Sequence, residues 1–503
     1  MSAETLPDTG SPAQEGTGQR VAKNAIVYLL SQLITWGITI CVIAIQPRLI
    51  GETGIGQLRI ANTVVITVVT FACLSIEQFL VVEIGRNRKE TERLACAAMG
   101  LRVALLPLLA VMIMMGLVMM KASPIVWQIG FIHIIRVSIG FVGLPLRAVL
   151  GGWENARMVA LIDFVPVLSP LVAFPLVWLG GSILIFPLID LLAVTFLYMW
   201  LFRYMNRHMN IRPIFNVFKW RKLVLGGSAF LANEMMAQLY DFVTVFLLTR
   251  LTSEATVGVY SQAIKFQGSF LFVPVALGTA MLPSLARIAD LDKAEFRKME
   301  ERTLVVMIAT SLPVATMVFL LAHPLCRIIF GPKLLQGVPD VLQISALNML
   351  PLYISTVFYR FLVAERKNLV WSLFLFGTVV LNGVLCWFFI PYTREHGWHN
   401  GAVGAVGASL VAECATMLFA FMLLRLNPFN KETLGRVIRA VLATAVMGLV
   451  IWKTRELFLL IPVILGSVTF IGLAWALKVL GAEEQEKLVF MIRKRLKLGQ
   501  GAS

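Results

Sequence analysis

Long runs of apolar residues alternate with short polar connections along almost the whole chain. Most runs have about 18–25 residues, the length that an α-helix needs to cross the hydrocarbon core of a membrane. The pattern predicts fourteen membrane-spanning helices. They are expected near residues 25–47, 60–83, 94–120, 124–149, 156–179, 182–205, 224–249, 256–284, 303–322, 339–363, 368–390, 401–424, 434–452 and 457–480.

Composition supports a membrane protein, because 58% of the 503 residues are hydrophobic and only 14% are charged. A soluble chain of this length would need more charge to cover its surface. Backbone groups inside a bilayer must be satisfied within each span, so the expected fold class is all-α and polytopic. The polar residues 1–23 are predicted to form a disordered tail and residues 481–503 a basic tail. The six cysteines lack metal-ligand spacing, and no metal or cofactor is expected.

A net charge of +16 is compatible with a nucleic-acid partner, but the placement of the 44 Lys and Arg residues favours a different interpretation. Most of them fall in alternate connections, including residues 86–93, 203–222 and 287–302. Cytoplasmic loops of membrane proteins carry an excess of Lys and Arg. The basic charge therefore predicts topology, with these connections and both termini in the cytoplasm and no nucleic-acid partner.

One short polar turn occurs twice in the chain. The segment RLIGETGIGQLRIA at residues 48–61 aligns without a gap with RLTSEATVGVYSQA at residues 250–263. The shared positions are Arg48/Arg250, Leu49/Leu251, Glu52/Glu254, Gly56/Gly258 and Ala61/Ala263. The turns follow the first and the seventh predicted spans, and the later spans come into the same register.

This repeat predicts two pseudo-symmetric lobes of six helices, at residues 24–205 and 224–425, joined by a cytoplasmic linker at 206–223. Two extra spans within residues 434–480 lie outside the repeat. An even number of spans in each lobe gives both lobes the same orientation. Transporters with such parallel repeats bind their substrate near the membrane midplane.

Several segments carry a family resemblance: KNAIVYLLSQ and PRLIGETGIGQL, then YDFVTVFLLTRLTSEATVGVYSQAIKF, ALGTAMLPSLARI and LLAHPLCRIIFGPK. With these segments, residues 25–425 resemble the Wzx-type polysaccharide and O-antigen flippases of the multidrug/oligosaccharidyl-lipid/polysaccharide (MOP) exporter superfamily. Gln46-Pro47 departs from the usual aliphatic lead-in to the turn.

The resemblance implies a MATE/MOP-like fold and the flipping of an undecaprenyl-diphosphate-linked oligosaccharide across the bacterial inner membrane. The cargo would be a repeat unit of exopolysaccharide, capsule or O-antigen. Expected partners are the lipid-linked glycan, membrane lipids, and a polysaccharide polymerase with its chain-length regulator. The chain is not expected to be an enzyme.

An anionic diphosphate inside a membrane calls for cations, which are costly there and usually mark a pathway. Arg136 lies near the middle of the fourth predicted span, and His133 and Arg147 share its helix face by their spacing. Lys265 lies in the eighth span. These four residues are the predicted substrate-binding groups. The alternatives are a structural pair between Arg136 and a carboxylate such as Asp163, and a Lys265 that reaches the membrane interface.

Two carboxylates on the seventh span, Glu234 and Asp241, share a helix face and are the predicted coupling site for Na+ or protons. The alternative is that they neutralise Lys265. Arg102 and Arg360 lie nearer the ends of their spans, so their side chains are expected to reach the cytoplasmic interface.

Other functions with many spans stay open as alternatives. A glycan ligase or polymerase usually has a large periplasmic loop, whereas the connections here are short. The sequence has no phosphate-binding loop motif, which argues against ATP-driven transport within this chain. A multidrug or cation antiporter and a lipid II flippase would have the same architecture and are the main alternatives.

Overall fold

A computed structural model of the chain describes residues 17–207, 209–331, 337–396, 398, 400–424, 430–479 and 481. These residues form α-helices and connections, and none of them lies in a β-strand. The all-α, multi-pass class expected from the sequence is confirmed. The chain divides into two compact units, unit 1 at Met1–Gly258 and unit 2 at Val259–Ser503.

Unit 1 contains seven complete helices in its described part. They are α1 (Thr17–Cys73), α2 (Ile76–Arg86), α3 (Thr91–Met119), α4 (Pro124–Gly152), α5 (Ala156–Trp178), α6 (Ile185–Asn206) and α7 (Val217–Leu251), with a 3₁₀ turn at Arg88–Glu90. The next helix, α8 (Glu254–Gly268), begins in unit 1. The first sixteen residues of the predicted tail lie outside the described residues, and residues 17–23 are helical.

Unit 2 continues from α8 through seven further helices in its described part. They are α9 (Phe272–Leu291), α10 (Lys293–Phe330), α11 (Val338–Ala364), α12 (Asn368–Glu395), α13 (Gly401–Leu424), α14 (Lys431–Thr454) and α15 (Leu460–Ala476). Apart from Gly481, the predicted basic tail at 481–503 lies outside the described residues.

Ten of the described helices are long and apolar enough to cross a membrane, against fourteen predicted spans. The first predicted span and the first part of the second lie in α1, whose apolar stretch Ile34–Cys73 bends at Gly51 (φ 69°, ψ −177°). The last falls in α15, which has 17 residues. The seventh falls in α7, and the eighth is interrupted between α8 and α9.

The second predicted span, at residues 60–83, is also interrupted. Leu74 and Ser75 adopt left-handed backbone conformations, with φ of 51° and 47°, and separate α1 from α2. The interruption frees backbone carbonyls inside the bundle, and the Cys73 carbonyl accepts a hydrogen bond from Arg102 Nη2 at 3.4 Å. Side chains from neighbouring helices therefore stabilise a break that contains no glycine.

The two copies of the repeated turn pack directly on each other within unit 1. A Cβ atom added at Gly56 would lie 1.7 Å from the Glu254 carbonyl oxygen. One added at Gly258 would lie 2.0 Å from the Glu52 carbonyl oxygen. Only glycine permits this reciprocal approach, which explains why both copies carry it. Gln57 adds a hydrogen bond from its Nε2 to Glu254 Oε2 at 2.8 Å.

The connection from α6 to α7 is packed against α3. The Ile214 amide donates to the Cys96 carbonyl at 2.9 Å, and the Arg212 amide contacts Cys96 Sγ at 3.4 Å. A Cβ atom at Gly100 would lie 2.1 Å from the Ile214 carbonyl oxygen. The segment from residue 209 to residue 216 is called the α3 strap below.

Unit 1 includes α7 because this helix packs on α1, α2 and α3. The division at Gly258 therefore differs from the predicted linker at 206–223, and helix α7 already begins at Val217. The predicted lobes at 24–205 and 224–425 stay predictions.

Candidate functional site

A cavity of about 330 Å³ lies inside unit 1 between α1, α4, α5 and α6. Its wall is mostly apolar and includes a few polar side chains. Arg136, Arg147, Asp163 and Tyr198 supply the large polar groups, and Thr70 adds a hydroxyl from α1. Two of the predicted substrate-binding residues therefore line one cavity.

Arg136 pairs with a carboxylate from α6. Its Nε lies 2.9 Å from Asp190 Oδ2, and the two side chains are 29% and 18% exposed. Asp190 also contacts Ser169 Oγ at 3.4 Å. The sequence suggested Asp163 as a structural partner for Arg136, but the partner in the structure is Asp190.

Arg147 forms a two-pronged ion pair with Asp163 on α5. Its Nε lies 2.7 Å from Oδ1 and its Nη2 lies 2.6 Å from Oδ2. Both side chains are a third or more exposed. The same fork geometry would fit two oxygens of a phosphate group.

His133 lies one turn before Arg136 on α4. Its side chain is only 8% exposed and is not part of the cavity wall. Its Nδ1 is buried and has no hydrogen-bond partner among the described residues. Lys265 lies on α8 in unit 2, so its predicted role beside Arg136 stays a prediction.

The two predicted coupling carboxylates have different partners. Asp241 forms an ion pair with Arg59 on α1. Glu234 accepts hydrogen bonds from Ser75 Oγ at 3.0 Å and Gln78 Nε2 at 2.6 Å, both of them neutral donors at the start of α2. Within the described chain, no basic side chain forms an ion pair with Glu234.

Arg102 is buried, with 1% of its side chain exposed, so the expectation that it reaches the cytoplasmic interface is wrong. It forms an ion pair with Glu77, and its guanidinium lies 4.2 Å from the centre of the Phe141 ring. Because the helix is interrupted between α1 and α2, the Cys73 carbonyl and the Glu77 side chain both contact the Arg102 guanidinium. These partners, rather than water, compensate the charge.

The sequence predicts Glu77 and Asp190 as structural partners within spans, but it did not point to Arg59 or to the donors Ser75 and Gln78. Arg59 lies just before a predicted span and was not treated as an intramembrane residue. The ion pairs that Glu77 and Asp190 form with arginines agree with the structural role predicted for these two carboxylates.

In unit 2, Glu413 on α13 accepts a hydrogen bond from Ser355 Oγ at 3.3 Å. No Lys or Arg of the described residues forms an ion pair with it. Among the described residues, no group of three or more His, Cys, Asp or Glu side chains could hold a metal ion.

The architecture is that of a multi-pass, all-helical membrane protein. The chain has the fold of the lipid II flippase MurJ in its inward closed conformation, with a TM-score of 0.70 at 13% identity. That alignment covers 90% of this chain and 98% of MurJ.

Two other solved structures share the fold. An inward-facing multidrug resistance MATE transporter of the MOP superfamily aligns with a TM-score of 0.62 at 13% identity, over 80% of this chain and 98% of the other. A eukaryotic MATE transporter aligns with a TM-score of 0.57 at 13% identity, over 84% and 97% of the two chains.

Residues 155–339 match the sequence family described as "Polysaccharide biosynthesis protein". No curated protein matches the sequence. The MATE/MOP-like fold expected from the resemblance is confirmed, and the family match over residues 155–339 agrees with the resemblance.

Proposed function

We propose that this protein moves a polyprenyl-diphosphate-linked oligosaccharide from the cytoplasmic to the periplasmic leaflet of the bacterial inner membrane. The observation that carries the proposal is the cavity of unit 1, where Arg136 and Arg147 lie among apolar side chains. Its context is the match of residues 155–339 to a polysaccharide biosynthesis family.

The two arginines can exchange partners. Each guanidinium is bound to one carboxylate, and each arginine side chain is about a third exposed. A diphosphate that enters would compete with Asp190 and Asp163 for the same donors. Because each arginine is paired with a carboxylate, neither cation incurs the full cost of isolation inside the membrane.

Transport would proceed by alternating access coupled to Na+ or protons. Glu234 is the favoured coupling group, because neutral donors bind its carboxylate whereas Arg59 already balances Asp241. A carboxylate in such surroundings can take up a proton or Na+ without first breaking an ion pair.

The chain would be a transporter without enzymatic activity, with both termini in the cytoplasm. A polysaccharide polymerase and a chain-length regulator would act on its product. A lipid II flippase or a multidrug antiporter remains the alternative, and the cargo distinguishes them. A lipid-linked glycan, lipid II and a lipophilic cation can each be supplied separately to reconstituted protein.

The test is leaflet exchange of a fluorescent lipid-linked oligosaccharide in proteoliposomes. Wild-type protein should translocate it. Arg136→Ala and Arg147→Ala should each slow translocation about tenfold or more, since a hydrogen bond to a charged group contributes about 1.5–3 kcal/mol. Arg157→Ala removes an exposed cation outside the cavity and should have little effect.

Normal translocation by the Arg136→Ala/Arg147→Ala double variant would refute the role of the cavity. Translocation of a lipophilic cation but of no lipid-linked glycan would replace the proposal with drug export.

A further inference from the structure

A second, smaller cleft lies in unit 1 where α3 and α7 begin. Its volume is about 290 Å³. It is lined by the first turns of α3 and α7, which supply Glu90, Arg93, Asn216, Phe218, Lys219 and Lys222. Residues 86–93 and 203–222 are the basic connections that the sequence predicts to be cytoplasmic. This feature is called the α3–α7 cleft.

The α3 strap holds the two sides of the α3–α7 cleft together. Ile214 is bonded to Cys96 of α3, and its carbonyl accepts a hydrogen bond from Trp220 Nε1 at 3.3 Å. Asn216 then caps α7, with its Oδ1 accepting from the Lys219 amide at 3.2 Å. The first turn of α7 is thereby fixed beside the first turns of α3, so the cleft is a built feature of the backbone.

Cations dominate the α3–α7 cleft. Three basic side chains line it, Arg93, Lys219 and Lys222, against the single carboxylate of Glu90. The Arg93–Glu90 contact is long, at 3.6 Å, and both side chains are well exposed. Lys222 is 60% exposed and lies 3.2 Å from Glu83. Both helices also direct their N-terminal ends toward this region, which adds favourable dipoles for an anion.

Exposed apolar side chains lie beside these cations. Phe218, in the wall of the cleft, is 89% exposed, and the neighbouring Phe215 and Val217 are 64% and 71% exposed. Cations next to exposed aromatic and aliphatic groups are typical of a surface at the membrane interface. The ligand is therefore expected to have an anionic head and a hydrocarbon tail.

We propose that the α3–α7 cleft binds the diphosphate of the lipid-linked substrate on the predicted cytoplasmic side, before translocation. This inference rests on the proposed function. Carboxylates contact two of the three cations, Arg93 through Glu90 and Lys222 through Glu83, so the cleft keeps a net positive charge that complements the phosphates of a diphosphate. The polyprenyl chain would lie against Phe218 and Val217.

The test is photolabelling of the purified full-length chain with a benzophenone-bearing undecaprenyl diphosphate, with the label mapped by peptide mass. The wild-type chain should be labelled within residues 215–225. In the Arg93→Gln/Lys219→Gln/Lys222→Gln variant, the concentration for half-maximal labelling should rise about a hundredfold. That estimate uses about 1 kcal/mol for each cation near a membrane surface, which is about fivefold each.

The matched control is Arg203→Gln/Arg207→Gln/Arg212→Gln. It removes three exposed cations from the same predicted side but none from the cleft lining. Its labelling should change less than about threefold. If both triple variants lose labelling equally, general surface charge is responsible and the cleft proposal is overturned. Should the first triple variant not fold, Lys219→Glu alone should still weaken labelling at least about fivefold.

Two further outcomes separate this inference from the proposed function. Label found only on cavity residues of α4 to α6 would overturn the cleft and leave the proposed function standing. No specific label anywhere on wild-type protein would contradict the proposed function itself. An excess of phosphatidylglycerol should not displace the probe from residues 215–225; equal competition would make the cleft an ordinary headgroup site and overturn the proposal.

Discussion

Pairs of opposite charge lie inside unit 1 among the residues that the structure describes. Arg136 with Asp190 and Arg147 with Asp163 share one cavity, and Arg102 with Glu77 is more deeply buried. In a low-dielectric interior, removing one partner is costly because the other is left uncompensated, whereas removing both can be nearly neutral. Stability measurements on single and double variants can therefore distinguish an arginine that only neutralises a carboxylate from one that binds substrate.

The Arg136–Asp190 pair gives the first prediction. Arg136→Ala should lower the free energy of unfolding by about 1–3 kcal/mol, because Asp190 loses its partner. Asp190→Ala added to it should recover most of that loss, while transport stays impaired because the cavity still lacks the cation. Thermal unfolding in detergent measures stability, and proteoliposome exchange measures transport. If the double variant recovered both stability and transport, the pair would be purely structural.

Glu234 gives the second prediction. Glu234→Gln keeps hydrogen-bonding capacity toward Ser75 and Gln78 but cannot ionise, so transport should lose its dependence on a Na+ or proton gradient. Asp241→Asn leaves Arg59 unbalanced and should mainly reduce stability. Uptake in vesicles with and without each gradient is the measurement. Full gradient dependence in Glu234→Gln would place the coupling group elsewhere, and Glu413 would be tested next.

The identity of the charged residues was predictable, but their pairing was not. Spacing along α4 correctly put Arg136 and Arg147 on one face, because helix periodicity fixes which side chains project together. Which carboxylate meets which arginine depends on the rotation and tilt of α5 and α6. Those are set by packing against several neighbours, so Asp190 could not be chosen over Asp163 from the sequence.

At the scale of elements, the repeated turn is a close backbone contact between two segments distant in sequence. Gly56 faces the Glu254 carbonyl and Gly258 faces the Glu52 carbonyl at distances that leave no room for a methyl group. The turn motif thus has a packing function that the repeat alone did not reveal.

This contact gives the third prediction. Gly56→Ala should separate the two turns and destabilise this conformation, because backbone atoms, unlike flexible side chains, cannot move aside cheaply. Gly37→Ala on the same helix is the control, since a Cβ atom there has no neighbour within 4 Å. The rate of disulfide formation between cysteines at Gln57 and Glu254 reports the contact. An unchanged rate in Gly56→Ala would show that the turns need no glycine.

Most elements were predictable because a membrane span is a long, strong signal, but interruptions within spans were not. Leu74 and Ser75 adopt positive φ without a glycine or proline to indicate it. The break exists because Glu234, Arg102 and their neighbours supply hydrogen bonds from other helices. Such compensation is tertiary, so a single segment of sequence carries little trace of it.

At the scale of the molecule, the fourth prediction concerns topology. The charge distribution predicts that residues 391–400 face the periplasm and residues 203–222 the cytoplasm. In a cysteine-free background, which also removes the exposed Cys41, cysteine at Glu395 should react with an impermeant thiol reagent on intact cells. Cysteine at Arg212 should react only after lysis. Both positions are exposed, so the opposite result would reverse the orientation.

The pairing of Arg59 with Asp241 has a consequence for how the protein is made. Asp241 follows Arg59 by 182 residues, so at a synthesis rate of about 5–20 residues per second the cation waits roughly 10–40 s for its partner. During that interval the membrane-insertion machinery or the lipid headgroups must compensate the charge of Arg59. A nascent chain that ends after α6 lacks α7. It would therefore contain this cation, Ser75 and Gln78 without the carboxylates of α7 that contact them. The smallest fragment of the first half that can mature alone is therefore expected to end near Gly258 rather than at residue 205.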